Sequence, residues 1–221
     1  MKKNYIVLLL AVAPLLSGVQ YSKAFTYRPY LGISANYVLI AGNFDGETYF
    51  YIDDETILVP KLDPGFGFGI NGGIRFQKGA LDFQYKRSTH NCSLLGGTQS
   101  RANFNVIKFI GFKSYIGESK IIQPFIDFDF SGTWMRVADA TYLESSPQVF
   151  KRATYGALIL GLGGGLAVKF ADKISLELEA LPAWYLGTDV TGFRKNNYEI
   201  EKFNSFKFDV SAALIYYFKG K

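Results

Sequence analysis

"GFGFGINGGIRF", residues 65–76, reads as two different faces of one strand. Its even positions hold Phe66, Phe68, Ile70, Gly72, Ile74 and Phe76; its odd positions hold Gly65, Gly67, Gly69, Asn71, Gly73 and Arg75. Successive side chains of a strand point to opposite sides, so one face is large and apolar and the other is small or polar. The same parity sets Leu81, Phe83 and Tyr85 against Asp82, Gln84 and Lys86, and Ile174, Leu176 and Leu178 against Ser175, Glu177 and Glu179. It recurs near the C-terminus, where Phe206, Phe208, Val210, Leu214, Tyr216 and Phe218 oppose Lys207, Asp209, Ser211 and Ala213.

Residues 30–39 alternate in the same way, and residues 155–170 place Leu158, Leu160, Leu162 and Leu166 opposite Gly161, Gly163, Gly165 and Lys169. The stretch 102–115 fits worst. Lys108 shares a face with Val106 and Ile110 while Ile107 and Phe109 take the other, an irregularity that a β-bulge would produce. Eight strands are expected, at about 29–39, 65–77, 80–90, 102–116, 121–136, 154–170, 173–187 and 205–218. The brief turns "QKG" (77–79), "GESK" (117–120) and "ADK" (171–173) alternate with much longer connections. An even strand count with short turns at one end and long loops at the other predicts a transmembrane β-barrel.

A water-soluble barrel would carry the same parity with its apolar face turned inward. The placement of aromatics argues against it. Trp134 and Trp184 lie on the apolar face near the loop ends, and Phe76, Phe112, Phe170 and Phe218 near the turn ends, as two membrane interfaces require. With the apolar face in lipid, "FIDFDF" (125–130) turns Asp127 and Asp129 into the barrel. The same parity adds Arg75, Asp82, Lys86, Lys169, Glu177, Glu179, Lys207 and Asp209 to a lumen ion-pair network, with Lys113 beside them. An eight-stranded barrel has an interior that side chains just fill, so these charges are expected to plug it rather than line a pore.

The N-terminal "MKKNYIVLLLAVAPLLSGVQYSKAF" has a basic start, a short apolar run and small residues at a peptidase site. Residues 1–24 are therefore expected to be a cleaved signal peptide, and 25–221 a single barrel domain exported to the cell outer membrane. The formal charge of +5 includes Lys2, Lys3 and Lys23 of that leader, and the other bases form no block, so no nucleic-acid partner is expected. The single Cys, Cys92, cannot form an internal disulfide and is expected in a loop.

Enzymatic readings find little support. The single His, His90, sits in "STHNCS" at the outer end of the third strand, where a surface position is expected. "GLGGGL" lacks the last Gly of a dinucleotide loop, and no His/Cys cluster suits a metal, so neither a cofactor nor an enzyme is expected. The paired inward carboxylates have the residue types of a glycosidase, but a filled lumen admits no substrate. The first loop gathers Asp45, Glu47, Asp53, Asp54, Glu55 and Asp63 around Phe44, Tyr49, Phe50 and Tyr51, aromatics of the kind that make binding hot spots or a hairpin above the membrane. The last loop offers Arg194, Lys195 and Tyr198.

From Pro29 to Phe218 the chain resembles the small eight-stranded outer-membrane β-barrels of Gram-negative bacteria, the OmpA/OmpX and opacity-protein type. Its final strand, "FKFDVSAALIYYF", resembles the aromatic-ended signal read by the barrel assembly machinery, although Lys219, Gly220 and Lys221 follow Phe218. The resemblance implies outer-membrane lipids as surroundings and extracellular loops that act in adhesion, host interaction or envelope integrity. It leaves open a passive structural barrel, and a lipid A-modifying enzyme of the same shape. For the latter the deacylase pattern of His, any residue, then Ser is broken by Cys92.

Overall fold

The computed structural model describes residues 27–52, 55–93, 99–117, 121–138, 141–143, 147–149, 153–191, 198–200 and 204–220, the side chains of 49–57, 141–149 and 187–200 excepted. The expected signal peptide lies outside them, as do Arg194 and Lys195. In chain order, β1 (Arg28–Gly42) leads to the first-loop strands β2 (Tyr49–Ile52), β3 (Glu55–Leu58) and β4 (Lys61–Leu62). The wall continues with β5 (Gly65–Arg75), β6 (Gly79–Ser93), β7 (Gln99–Tyr115) and β8 (Ile122–Val137). The short β9 (Thr141–Leu143) and β10 (Pro147–Val149) precede β11 (Ala153–Ala171) and β12 (Ile174–Thr191), and β13 (Tyr198–Ile200) precedes β14 (Ser205–Tyr217).

Eight of these form the wall: β1, β5, β6, β7, β8, β11, β12 and β14 pair antiparallel with their neighbours, and β14 returns to β1 through Tyr30↔Tyr217 to Gly42↔Ser205. Closure leaves no unpaired edge, which a hydrocarbon surrounding demands. Wall strands of 11 to 19 residues meet or exceed the roughly 9–11 that a tilted strand needs to cross a bilayer. Loops one and three meet above the barrel in a second sheet, ordered β10-β9-β3-β2.

Parity decides the environment of the wall. Phe66, Phe68, Ile33 and Leu162 are 72, 77, 66 and 55% exposed, while Ser34, Asn36, Asn71, Asp82 and Asp127 are buried. A belt of this kind far exceeds the apolar patches that soluble proteins carry, so the wall faces lipid. The inverted, soluble barrel is thereby excluded.

Strict alternation breaks at the expected place. Opposite β6, the β7 register jumps from Asp82↔Gly111 to Gln84↔Lys108. The two residues Phe109 and Ile110 together face outward, and the Phe109 ring lies over Gly132. Lys108 therefore shares the lumen with Val106, but Ile110 does not. A second irregularity, Leu158↔Gly187 followed by Ile159↔Tyr185, leaves Leu186 as the extra residue of β12.

Candidate functional site

The interior is layered along the barrel axis. At the turn end, Tyr30, Tyr115, Phe125, Ile215 and Tyr217 form an apolar and aromatic layer. The Arg75 guanidinium lies 3.7 Å from the centre of the Tyr115 ring and donates to Tyr217 Oη at 2.9 Å and to Gln123. Burial of an arginine is tolerable when its planar face stacks and its N–H groups find acceptors, and both conditions hold. Tyr115 and Tyr217 in turn donate to Glu177 Oε1 at 3.1 and 3.4 Å.

Above this layer lie the ion pairs. Lys113 Nζ bridges Glu177 at 2.8 Å and Glu179 at 3.0 Å. Lys108 Nζ bridges Asp127 at 2.7 Å and Asp82 at 3.3 Å. Lys86 reaches Asp209 at 3.1 Å, and Lys207 approaches the same oxygen at 3.7 Å. Asp129 accepts from the Ser131 hydroxyl. Room for the Lys108 pair comes from Gly111, where a Cβ would stand 2.5 Å from both Asp82 Oδ1 and Lys108 Cδ. Gly111→Ala is expected to cost about 1–3 kcal/mol of unfolding free energy by overpacking this point.

Ten of the eleven residues expected in the lumen, Arg75, Asp82, Lys86, Lys113, Asp127, Asp129, Glu177, Glu179, Lys207 and Asp209, are buried there. Lys169 is only half-buried at the turn-end rim and makes no salt bridge among the described residues. Lys108, absent from the expected network, is one of its two bridging lysines. The signal that could have placed it is the adjacent apolar pair Phe109–Ile110 followed by small Gly111.

The loop end of the lumen is apolar instead of charged. Val38, Ile40, Phe44, Val59, Leu62, Cys92, Phe104, Met135, Val137 and Ile159 form one buried cluster, with Phe44 edge-on to Tyr155 at 5.4 Å. The first loop supplies its lid. The Leu62 amide donates to the Phe44 carbonyl at 3.3 Å, the Asp63 amide donates to the Asn91 carbonyl at 2.9 Å, and β4 pairs with the top of β6 through Leu62↔Cys92.

These positions correct three expectations. Phe44 is 3% exposed and packs inward instead of offering an outer contact, because the loop turns back into the mouth. Cys92 is buried on β6, not carried in a loop. His90 is also buried: its Nδ1 lies 2.9 Å from the Asp63 carbonyl and its Nε2 2.9 Å from Ser88 Oγ, so the ring ties the lid to the wall.

Of the remaining loop candidates, Tyr49, Phe50 and Tyr51 fall on β2 and Tyr198 on β13, with their side chains outside the described residues. Asp45 closes the turn before β2. Its Oδ1 accepts from the amides of Glu47 at 2.7 Å and Thr48 at 2.8 Å, and Gly46 takes a φ of +83°. Slight burial works against ionisation, but these hydrogen bonds outweigh it and hold the Asp45 carboxyl below its ordinary range.

No family model matches the chain, and no curated protein matches it. Solved structures do. Neisserial surface protein A aligns with a TM-score of 0.58 at 13% identity, over 86% of this chain and 97% of its own. Pseudomonas aeruginosa OprG aligns at 0.49 with 10% identity, over 89% of this chain and 97% of that one. The Yersinia pestis attachment invasion locus protein, Ail, aligns at 0.45 with 9% identity, over 89 and 100%. The closed eight-stranded wall, its lipid-facing belt and the first of these likenesses define an outer-membrane β-barrel of the small Gram-negative type. Its membrane crossing is made by strands, and no helix among the described residues is long and apolar enough to cross.

Proposed function

We propose that this barrel is a surface-binding protein whose extracellular loops make the contact, with the filled lumen serving as a rigid foundation. One observation carries the reading: loops one and three pair with each other as the sheet β10-β9-β3-β2, above a barrel whose mouth is sealed by apolar side chains. Pairing two loops through backbone hydrogen bonds lowers the entropy lost when they engage a partner. Neither transport through the lumen nor catalysis within it is favoured, since Ser88, His90 and the carboxylates are all buried. The barrel assembly machinery is the proposed partner for β14, and outer-membrane lipids for the wall.

The test is adhesion of intact cells to candidate host surfaces, comparing wild type with a variant in which 49–57 is replaced by a short Gly/Ser linker. That replacement spares Phe44, Val59 and Leu62, so the lid persists. Loss of binding of about tenfold or more, at unchanged surface abundance, is the expected outcome for loops with a hot spot. Unchanged binding together with a leakier envelope in cells lacking the whole protein would favour the passive structural barrel.

A further inference from the structure

Basic residues converge at one sector of the periplasmic rim, where the start of β1, the end of β14 and the β11–β12 turn meet. The Phe218 amide donates to the Pro29 carbonyl at 2.9 Å, and the Tyr217 amide to the Lys173 carbonyl at 2.8 Å. The Arg28 side chain reaches across this junction and donates through Nη1 to the Asp172 carbonyl at 3.3 Å. Arg28, Lys173 and Lys219 are exposed and Lys169 is half-buried. Lys169 lies near Arg75, Arg28 and the Asp172 carboxylate. Among the described residues none of these four cations makes a salt bridge.

Arg28 and Lys169 rise from the lumen face, in register with Arg75 and Ser175, and at the rim the outward face of the same strand ends is apolar. Phe170, Tyr216 and Phe218 are 66, 43 and 47% exposed, and Tyr216 and Phe218 meet edge to face at 5.3 Å. Aromatic side chains at this level mark the depth of the lipid headgroups. A ligand matched to the whole sector carries negative charge at the rim and hydrocarbon along the wall. We propose that the Arg28, Lys169 and Lys173 sector holds the phosphate of an anionic phospholipid from the inner leaflet, its acyl chains lying along Phe170 and Phe218. Arginine supplies directional N–H donors to the phosphate and the lysines supply charge. The site is independent of whatever the loops bind at the opposite end.

The experiment uses the full barrel refolded in phosphatidylcholine vesicles containing a trace of spin-labelled lipid, either phosphatidylglycerol or phosphatidylcholine. The fraction of immobilised label measures which lipid the wall retains. Wild type is expected to prefer phosphatidylglycerol, and Arg28→Gln/Lys169→Gln/Lys173→Gln to lose about fivefold of that preference at low salt. Lys78→Gln, on the separate β5–β6 turn, is expected to keep it. Folding of each variant is checked by its faster migration before boiling. If the triple variant fails to fold, Lys173→Gln alone, a change at an exposed turn residue, must still reduce the preference. Equal retention of both lipids by wild type would overturn the proposal, as would an equal loss in Lys78→Gln. Complete competition by inorganic phosphate at matched ionic strength would assign the sector to a free anion and overturn the lipid reading.

Discussion

Lys108→Met is expected to remove about 3–5 kcal/mol from the unfolding free energy of the barrel, measured by reversible urea unfolding in lipid vesicles. The side chain it removes is 1% exposed and is the cation for two carboxylates at once, Asp127 at 2.7 Å and Asp82 at 3.3 Å. Methionine nearly fills the volume, so the loss reports charge left unpaired rather than a cavity. Asp127→Asn is expected to cost less, about 1–3 kcal/mol, because Lys108 keeps Asp82 and the amide oxygen can still accept. Combining the two changes removes one of the stranded carboxylates. The double variant should therefore be more stable than the sum of the single losses allows, by about 0.5–3 kcal/mol. A cost below about 1 kcal/mol for Lys108→Met would mean that water enters the middle of the lumen freely, since only a hydrated carboxylate loses its cation so cheaply.

The wall was legible because a strand between lipid and lumen has no latitude: every second residue must be apolar, and each strand repeats the test. Phe66, Ile70, Phe83 and Leu214 announce their side without any knowledge of their neighbours. Lys108 was not legible by that rule, because a bulge shifts the parity by one and the shift has no period of its own. The misassignment of Ile110 follows from the same step. Phe44, His90 and Cys92 failed for a different reason. His90 and Cys92 keep the inward parity of Asp82 and Lys86 because β6 runs on to Ser93, and Phe44 joins them because the first loop turns back into the mouth, a tertiary event fixed by β4 pairing with the top of β6 and by the contact of His90 with the Asp63 carbonyl. A loop-like stretch gives no local sign of such a return. The layering of the lumen was hidden as well, since parity tells inside from outside but not depth along the axis. Tyr30, Tyr115 and Tyr217 gather at one end and Val38, Phe104 and Met135 at the other only when strand tilt and register are known.

Leu162→Arg is expected to cost about 2–4 kcal/mol in the same vesicle assay, and Thr89→Arg only about 0–1 kcal/mol. Both positions face outward, so the difference isolates depth. Leu162 is mid-strand in β11, pairs with Phe128 of β8 and is 55% exposed to what surrounds the barrel. An arginine there must either stay in hydrocarbon or bend toward an interface, and its length cannot reach water without distorting the wall. Thr89 lies in a polar row near the loop end, paired with Asn103, which pairs in turn with Arg136. Arg87 already faces outward one pleat below and donates to Asn103 at 3.4 Å. A charge is therefore tolerated at that level, and the row marks the upper limit of the apolar belt. The Leu162→Arg penalty should also be insensitive to salt, because counterions do not enter the hydrocarbon, whereas surface charge effects are screened within about 10 Å at ~0.1 M ionic strength. Equal and small costs at both positions would mean that water, not lipid, surrounds the wall. Equal and large costs would place the membrane boundary above Thr89, and with it raise the level at which the loop sheet β10-β9-β3-β2 meets its partners.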